Sequence, residues 1–216
     1  MTAPDKPIPP ATIRHILEEY HWPLPEGIEL QVAKYMEVLA LWGQKMSLTT
    51  IRDPEEVVRV QFGESIFALS LGSLPEGRLA DVGTGAGFPG LAMKLALPEI
   101  SVALIEPNNK KCAFLHEAVR TLGLTDVSVM PFPFRSAKIN KGALGSIATR
   151  ALAVDKLFLK WSHAILHPSG RIFLWLGEQA SREVKSSGGA EWNWDTPALI
   201  PGSKQRYILR GAPTKA

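Results

Sequence analysis

The stretch Asp81–Gly90, DVGTGAGFPG, sets glycines at 83, 85, 87 and 90 behind one apolar run, LADV, and ahead of another, LAMKLAL. A strand that ends in such a turn and enters a helix lets the main chain touch a ligand directly, since no Cβ intervenes and the first helical N–H groups face outward. Pro89 suits the helix entry, where its fixed φ and missing N–H cost nothing. Around this turn, short apolar runs at 79–82, 101–106, 127–130, 145–150 and 171–176 alternate with helical patterns over 88–97, 108–122 and 154–166. The alternation predicts an α/β fold: a mostly parallel sheet with helices on both faces and its ligand at the carboxyl ends of the strands. After residue 190, EWNW and RYILR form a candidate antiparallel pair around the turn signal Pro201-Gly202.

The first part of the chain reads differently. Residues 1–10 form a loose tail. Ile28, Val32, Tyr35, Met36, Leu39 and Trp42 trace the apolar stripe of one helix. A second helix takes Asp53 as N-cap and Pro54 as its first residue and runs to about Leu71, with Gly63 as its weak point. The expected division is a tail and helical lobe over 1–75 and a ligand-binding domain over 76–216. Residues 1–77 carry a net charge of −5 and residues 78–216 a net charge of +8. Arg135, Lys138, Lys141, Arg150, Lys156 and Lys160 concentrate the positive charge, which favours an anionic partner such as nucleic acid and equally suits a solvated face. The single cysteine, Cys112, excludes an internal disulfide framework, and it reads as a packed small hydrophobe. No secretory segment and no apolar run of roughly 18 residues is present, and the five histidines show no metal-ligand spacing. A cytoplasmic monomer without membrane or metal partners is the expectation.

The glycines fit two registers. Gly85, Gly87 and Gly90 satisfy G-x-G-x-x-G, the dinucleotide fingerprint, with Glu106 placed 21 positions after Gly85 to hold a ribose. Asp81, Gly83, Gly85 and Gly87 satisfy D-x-G-x-G-x-G, the pattern of S-adenosylmethionine enzymes, with the same glutamate on the ribose. Both ligands need close backbone approach, so the glycines alone do not choose between them.

Four segments carry a resemblance: LALWGQKMSLTTIRDPEEVV, DVGTGAGFPG, KKCAFLHEAVRTLGL and TRAL at 149–152. In this order and spacing they resemble the 16S ribosomal RNA guanine-N7 methyltransferase family (RsmG, also called glucose-inhibited division protein B) over most of residues 28–177. The resemblance implies a Rossmann-like methyltransferase core behind a helical lobe, S-adenosyl-L-methionine as cofactor and methylation of a guanine N7 in small-subunit ribosomal RNA. It also implies that Gly83 and Phe88 line the cofactor pocket, Glu106 takes the ribose, Ser136 and Ala137 border the adenine, and Arg150 faces the cofactor or the target. Arg135, Lys138 and Arg150 are the candidate RNA contacts. Phe88 could equally pack the first core helix.

Departures from the family pattern are Gln61 for a histidine, Glu64 for an aspartate, Ala137 for a glutamate and Leu176 for a lysine. Guanine N7 carries an in-plane lone pair and no proton at neutral pH, so the reaction needs alignment and exclusion of water rather than a general base. Arg150 is then a positioning group. Two alternatives stay open at this level: an RNA-binding assembly paralogue with weakened catalysis, and a nicotinamide-dependent oxidoreductase licensed by the other glycine register.

Overall fold

The computed structural model describes residues 8–150 and 152–214. Residues 1–7 of the expected tail, and Ala151 of the TRAL segment, lie outside the described residues.

Strands β1 (Arg78–Val82), β2 (Val102–Ile105), β3 (Val127–Met130), β4 (Leu144–Thr149) and β5 (Leu166–Gly177) form the parallel part of one sheet, in the order β3-β2-β1-β4-β5. Beyond β5 lies β8 (Arg206–Pro213), antiparallel to it, and then β6 (Trp192–Trp194), while β7 (Ala198–Leu199) also pairs with β8. The expected terminal pair is therefore present, and the Pro201-Gly202 turn joins β7 to β8. The antiparallel β8 occupies the place where a dinucleotide fold continues with a parallel sixth strand. Along β1 and β2, alternate residues serve opposite faces: Leu79, Val102 and Leu104 enter one core, and Ala80, Val82, Ala103 and Ile105 the other.

On the first face lie α1 (Pro10–Glu18), α2 (Ile28–Gly43), α3 (Pro54–Val57), α4 (Glu64–Ser70), α5 (Gly90–Ala96) and α6 (Asn109–Leu122). On the second lie α7 (Lys156–Ile165) and α8 (Glu178–Gly188). Helix starts follow local chemistry: Asp53, Asn108 and Asp155 each accept a backbone N–H with their side chains. The helical lobe shares one hydrophobic core with the sheet through Tyr35, Phe62, Phe88 and Phe114.

Three expectations are corrected. The tail reading stops at Pro9, because Ile13, Ile16 and Leu17 form a buried i, i+3, i+4 face on α1. The helix expected over 54–71 runs continuously from Pro54 to Ser70 but carries a π-helical segment, Val58–Gly63, within it, and Gly63 is a contact point: a Cβ there would overlap the ring of Tyr20. Strand β5 begins at Leu166 rather than 171, through a register shift that pairs Leu166 with Leu144 and Arg171 with Ser146.

Candidate functional site

Adjacent strands β1 and β4 leave the sheet in opposite lateral directions, β1 toward β2 and β4 toward β5, and this is where an open α/β sheet opens a crevice. The glycine turn follows β1 here, and Arg150 follows β4.

The turn is held from three sides. From below, the buried Asp81 carboxylate accepts from Thr84 Oγ1 at 2.5 Å and from Gly90 N at 2.7 Å through one oxygen. Burial pushes its pKa up to about 7, against the two hydrogen bonds and with help from the charge of Glu106. From β2, the Ile105 carbonyl accepts from Gly83 N at 2.8 Å, and Glu106 Oε2 accepts from Gly85 N at 3.0 Å. From the lobe, Tyr35 Oη donates to the Ala86 carbonyl at 2.5 Å.

These contacts split the glycines into two pairs. Gly83 (φ +71°) and Gly85 (φ +58°) are partly exposed, and a Cβ built on them meets nothing nearer than 3.7 Å and 3.9 Å respectively. Gly87 (φ +84°) and Gly90 are buried. A Cβ on Gly87 would overlap Tyr35 Oη and come within 2.7 Å of Leu91 Cδ1, and one on Gly90 would come within 2.8 Å of the Asp81 side chain. The open space beside the main chain is therefore at Gly83 and Gly85. In the dinucleotide register the second glycine, Gly87, must admit a pyrophosphate; Tyr35 fills that approach.

One expectation about this turn is corrected. The N–H groups of Gly83, Thr84, Gly85, Gly87, Phe88 and Gly90 all have partners within the protein, so the turn offers room for a ligand rather than a row of free donors. Pro89 stands at the helix entry as the N-cap residue of α5.

Glu106 is 5% exposed, and each carboxylate oxygen accepts one backbone N–H, Gly85 at 3.0 Å and Asn108 at 2.9 Å. Each oxygen keeps a second lone pair, enough for two hydroxyls of a ribose. Asp81, in contrast, lies under the turn with its accepting oxygen occupied by the turn itself, so it braces the cradle instead of lining it. Phe88 is likewise displaced from the expected pocket: its ring stacks on Tyr35 at 5.4 Å and meets Phe62 edge-on at 4.9 Å.

Arg150 is turned toward the lobe. Its guanidinium donates to the Val60 carbonyl at 2.7 Å and Gln61 Oε1 at 3.2 Å, and pairs with Glu64 Oε2 at 3.3 Å. Glu64 is buried and also receives Arg206 Nε at 2.6 Å. Burial outweighs pairing here, raising the Glu64 pKa and lowering that of Arg150. Arg150 is thus a tie between β4 and the π segment, with its guanidinium engaged by the lobe. Gln61 and Glu64, two of the four departures from the family pattern, are both partners of this arginine.

The remaining candidates sit on the opposite rim. Ser136 ends a short 3₁₀ turn, Phe134–Ser136, and Ala137 follows it; the segment leaves β3, whose Met130 carbonyl accepts from Glu106 N at 3.1 Å. Phe134 anchors it against Phe158 and Trp161. Arg135 is exposed and pairs with Asp155 at 3.2 Å, while Lys138 is exposed nearby. Cys112 is buried with Sγ donating to the Glu106 carbonyl at 3.0 Å, and burial raises its pKa. Sequence reasoning missed Tyr35 as a member of this site, since on the sequence it is only one more residue of an apolar stripe.

A sheet ordered 3-2-1-4-5 with an antiparallel strand beyond β5, and an open glycine pair facing a ribose-type carboxylate, define the class of S-adenosylmethionine-dependent methyltransferases. Among solved structures, an S-adenosylmethionine-dependent methyltransferase from Aquifex aeolicus shares the fold, with TM-score 0.61, 20% identity and coverage of 75% of this chain and 94% of that one. A further structure, a mutant of MtNAS in complex with S-adenosylmethionine, gives TM-score 0.59 at 16% identity, covering 94% of this chain and 78% of that one. Within the class, the family GidB, rRNA small subunit methyltransferase G, matches residues 28–193, and the chain belongs to it. The ribosomal RNA small subunit methyltransferase G of Roseiflexus castenholzii is 46% identical over 201 residues, covering 86% of this chain and 85% of the relative. That of Wolinella succinogenes is 29% identical over 200 residues, covering 93% and 98%.

Proposed function

We propose that this chain methylates N7 of a guanine in 16S ribosomal RNA, in the cytoplasm, with S-adenosyl-L-methionine as methyl donor. The observation that carries the reading is the open pair Gly83 and Gly85 beside Glu106, set against a Gly87 closed by Tyr35. When bound, S-adenosylmethionine supplies an electrophilic methyl group on a sulfonium. Gly83 and Gly85 admit it against the main chain, and Glu106 accepts its ribose hydroxyls. Ser136 and Ala137 stand on the adenine side of the crevice. Asp81, through Thr84 and Gly90, fixes the turn, and Arg150 fixes the π segment over the crevice.

No group on this chain has to remove a proton, because guanine N7 presents a lone pair at neutral pH. The protein's work is orientation and exclusion of water, which can lower a barrier by about 7–11 kcal/mol. The basic rim with Arg135 and Lys138 receives the RNA backbone, in keeping with the +8 net charge of residues 78–216. Small subunits from a strain lacking the gene, incubated with the protein and S-adenosylmethionine, are expected to gain one N7-methylguanine, located by borohydride and aniline cleavage of the RNA. Methyl incorporation at another atom, or none, overturns the reading.

A further inference from the structure

Beside the cofactor crevice lies a second concavity of about 380 Å³, formed by the loop 47–51 together with Val60, Gln61 and Arg150. Its size falls within the range of roughly 300–1,000 Å³ usual for small-molecule sites. Ser47 and Thr50 are exposed at its mouth. Its polar wall is built: Gln61 Nε2 donates to Thr49 Oγ1 at 3.4 Å, Gln61 Oε1 accepts from Arg150 at 3.2 Å, and Thr49 Oγ1 also accepts from Ile51 N at 3.1 Å. No role described above uses this loop.

We propose that this pocket receives the extruded target guanine and that Gln61 reads its 6-keto edge. The inference rests on the guanine-N7 reading above and identifies the residues that choose the base. Methylation at N7 requires that edge of the purine to stay free, so recognition has to come from the edge bearing O6, N1–H and the 2-amino group. The Arg150 guanidinium holds the carbonyl end of the Gln61 amide, so the amide presents its remaining N–H to the pocket. That N–H complements the O6 acceptor of guanine and confronts the N6 amino donor of adenine. The exposed hydroxyls of Ser47 and Thr50 can accept from the donors of the same guanine edge, while Thr49 Oγ1, which already accepts from Gln61 and Ile51, holds the amide in place. A base lifted out of the RNA is commonly read this way in a fitted pocket. Arg150 joins the two cavities: it lines this one, and it leaves β4 beside the turn that follows β1.

Three variants test the proposal, with methyl transfer to small subunits and calorimetric S-adenosylmethionine binding measured for each. Ser47→Trp fills the mouth from an exposed position; it is expected to abolish transfer with donor affinity unchanged. Gln61→Ala is expected to lower kcat/KM by roughly 10–100-fold, the loss of one good base contact. Gln61→Glu keeps the acceptor for Arg150 and loses the N–H donor, so it is expected to fall as far as alanine. Wild-type transfer by Gln61→Glu would reduce Gln61 to a support for Arg150 and overturn the inference. So would weakened donor binding by Ser47→Trp, which would assign the pocket to the cofactor. As a readout independent of turnover, guanosine monophosphate is expected to shift the Gln61 side-chain amide and Thr49 and Thr50 methyl signals in NMR, and adenosine monophosphate to leave them in place. Equal shifts, or none, contradict the base pocket. If wild-type protein transfers no methyl group at all, the guanine-N7 reading fails instead.

Discussion

Gly85 and Gly87 are two positions apart in one turn, both with positive φ, and they have opposite surroundings. Beside Gly85 the space where a side chain would stand is open; beside Gly87 it holds the hydroxyl of Tyr35 from the helical lobe. A glycine motif therefore does not describe one kind of constraint. One half is kept bare for a ligand, and the other half is kept bare so that a second layer of the protein can press on the turn and hold it. The same pairing explains why the lobe is part of the site: without Tyr35 the turn would lack its outer support.

Substitutions should separate the halves. Gly87→Ala adds a left-handed backbone strain of about 1–2 kcal/mol and an overlap costing about 1–3 kcal/mol. Urea unfolding is expected to show a loss of roughly 2–5 kcal/mol in total. A loss below about 1 kcal/mol, less than the backbone strain alone, would mean that Tyr35 does not hold this place.

Asp81 clamps the buried half, and its raised pKa gives a pH signature. The folded protein keeps this carboxyl protonated up to about pH 7, while the unfolded chain ionises it near its ordinary value of about 3.9. The folded state thus binds the extra proton between these values, and stability falls as pH rises from about 4 to 7, then levels. Asp81→Asn, which still accepts from Thr84 and Gly90, should lose this component. Its advantage over wild type should grow across that window to on the order of 4 kcal/mol at most. A wild-type-minus-variant difference that is flat with pH contradicts the assignment.

For the open half, Glu106→Gln keeps the shape, removes the charge, and turns one of the two accepting oxygens into an NH2 group that can no longer accept its backbone N–H. It is expected to reduce S-adenosylmethionine affinity by about 10–100-fold, with a melting temperature within a few degrees of wild type. Smallest of all, Tyr35→Phe removes one hydrogen bond to Ala86 and should cost about 0.5–1.5 kcal/mol in unfolding. Donor affinity well below wild type in that variant would show that the two halves are not separable.

The sheet was largely legible in the sequence because its strands are short apolar runs bounded by turn residues, and buried strands of a parallel sheet look like that. The position of Glu106 beside the turn was legible for a related reason: an acid at the end of the second strand has a place fixed by topology. What escaped depends on contacts far apart in sequence. The π segment accommodates Tyr20 against Gly63, the closure of Gly87 depends on Tyr35, and the orientation of Arg150 depends on Gln61 and Glu64, 89 and 86 residues away. The early start of β5 was hidden because His167-Pro168-Ser169-Gly170 reads locally as a turn. Periodicity reports which residues are buried, not which distant partner buries them.

The most direct test of the bare half of the turn is a calorimetric titration of S-adenosylmethionine into Gly85→Val, run beside wild type at a temperature where circular dichroism shows both folded. A folded variant that gives no saturable heat, beside a wild type that does, is the predicted result. Wild-type affinity in the variant would mean that the donor lodges elsewhere and that Gly83 and Gly85 stand open for some other end.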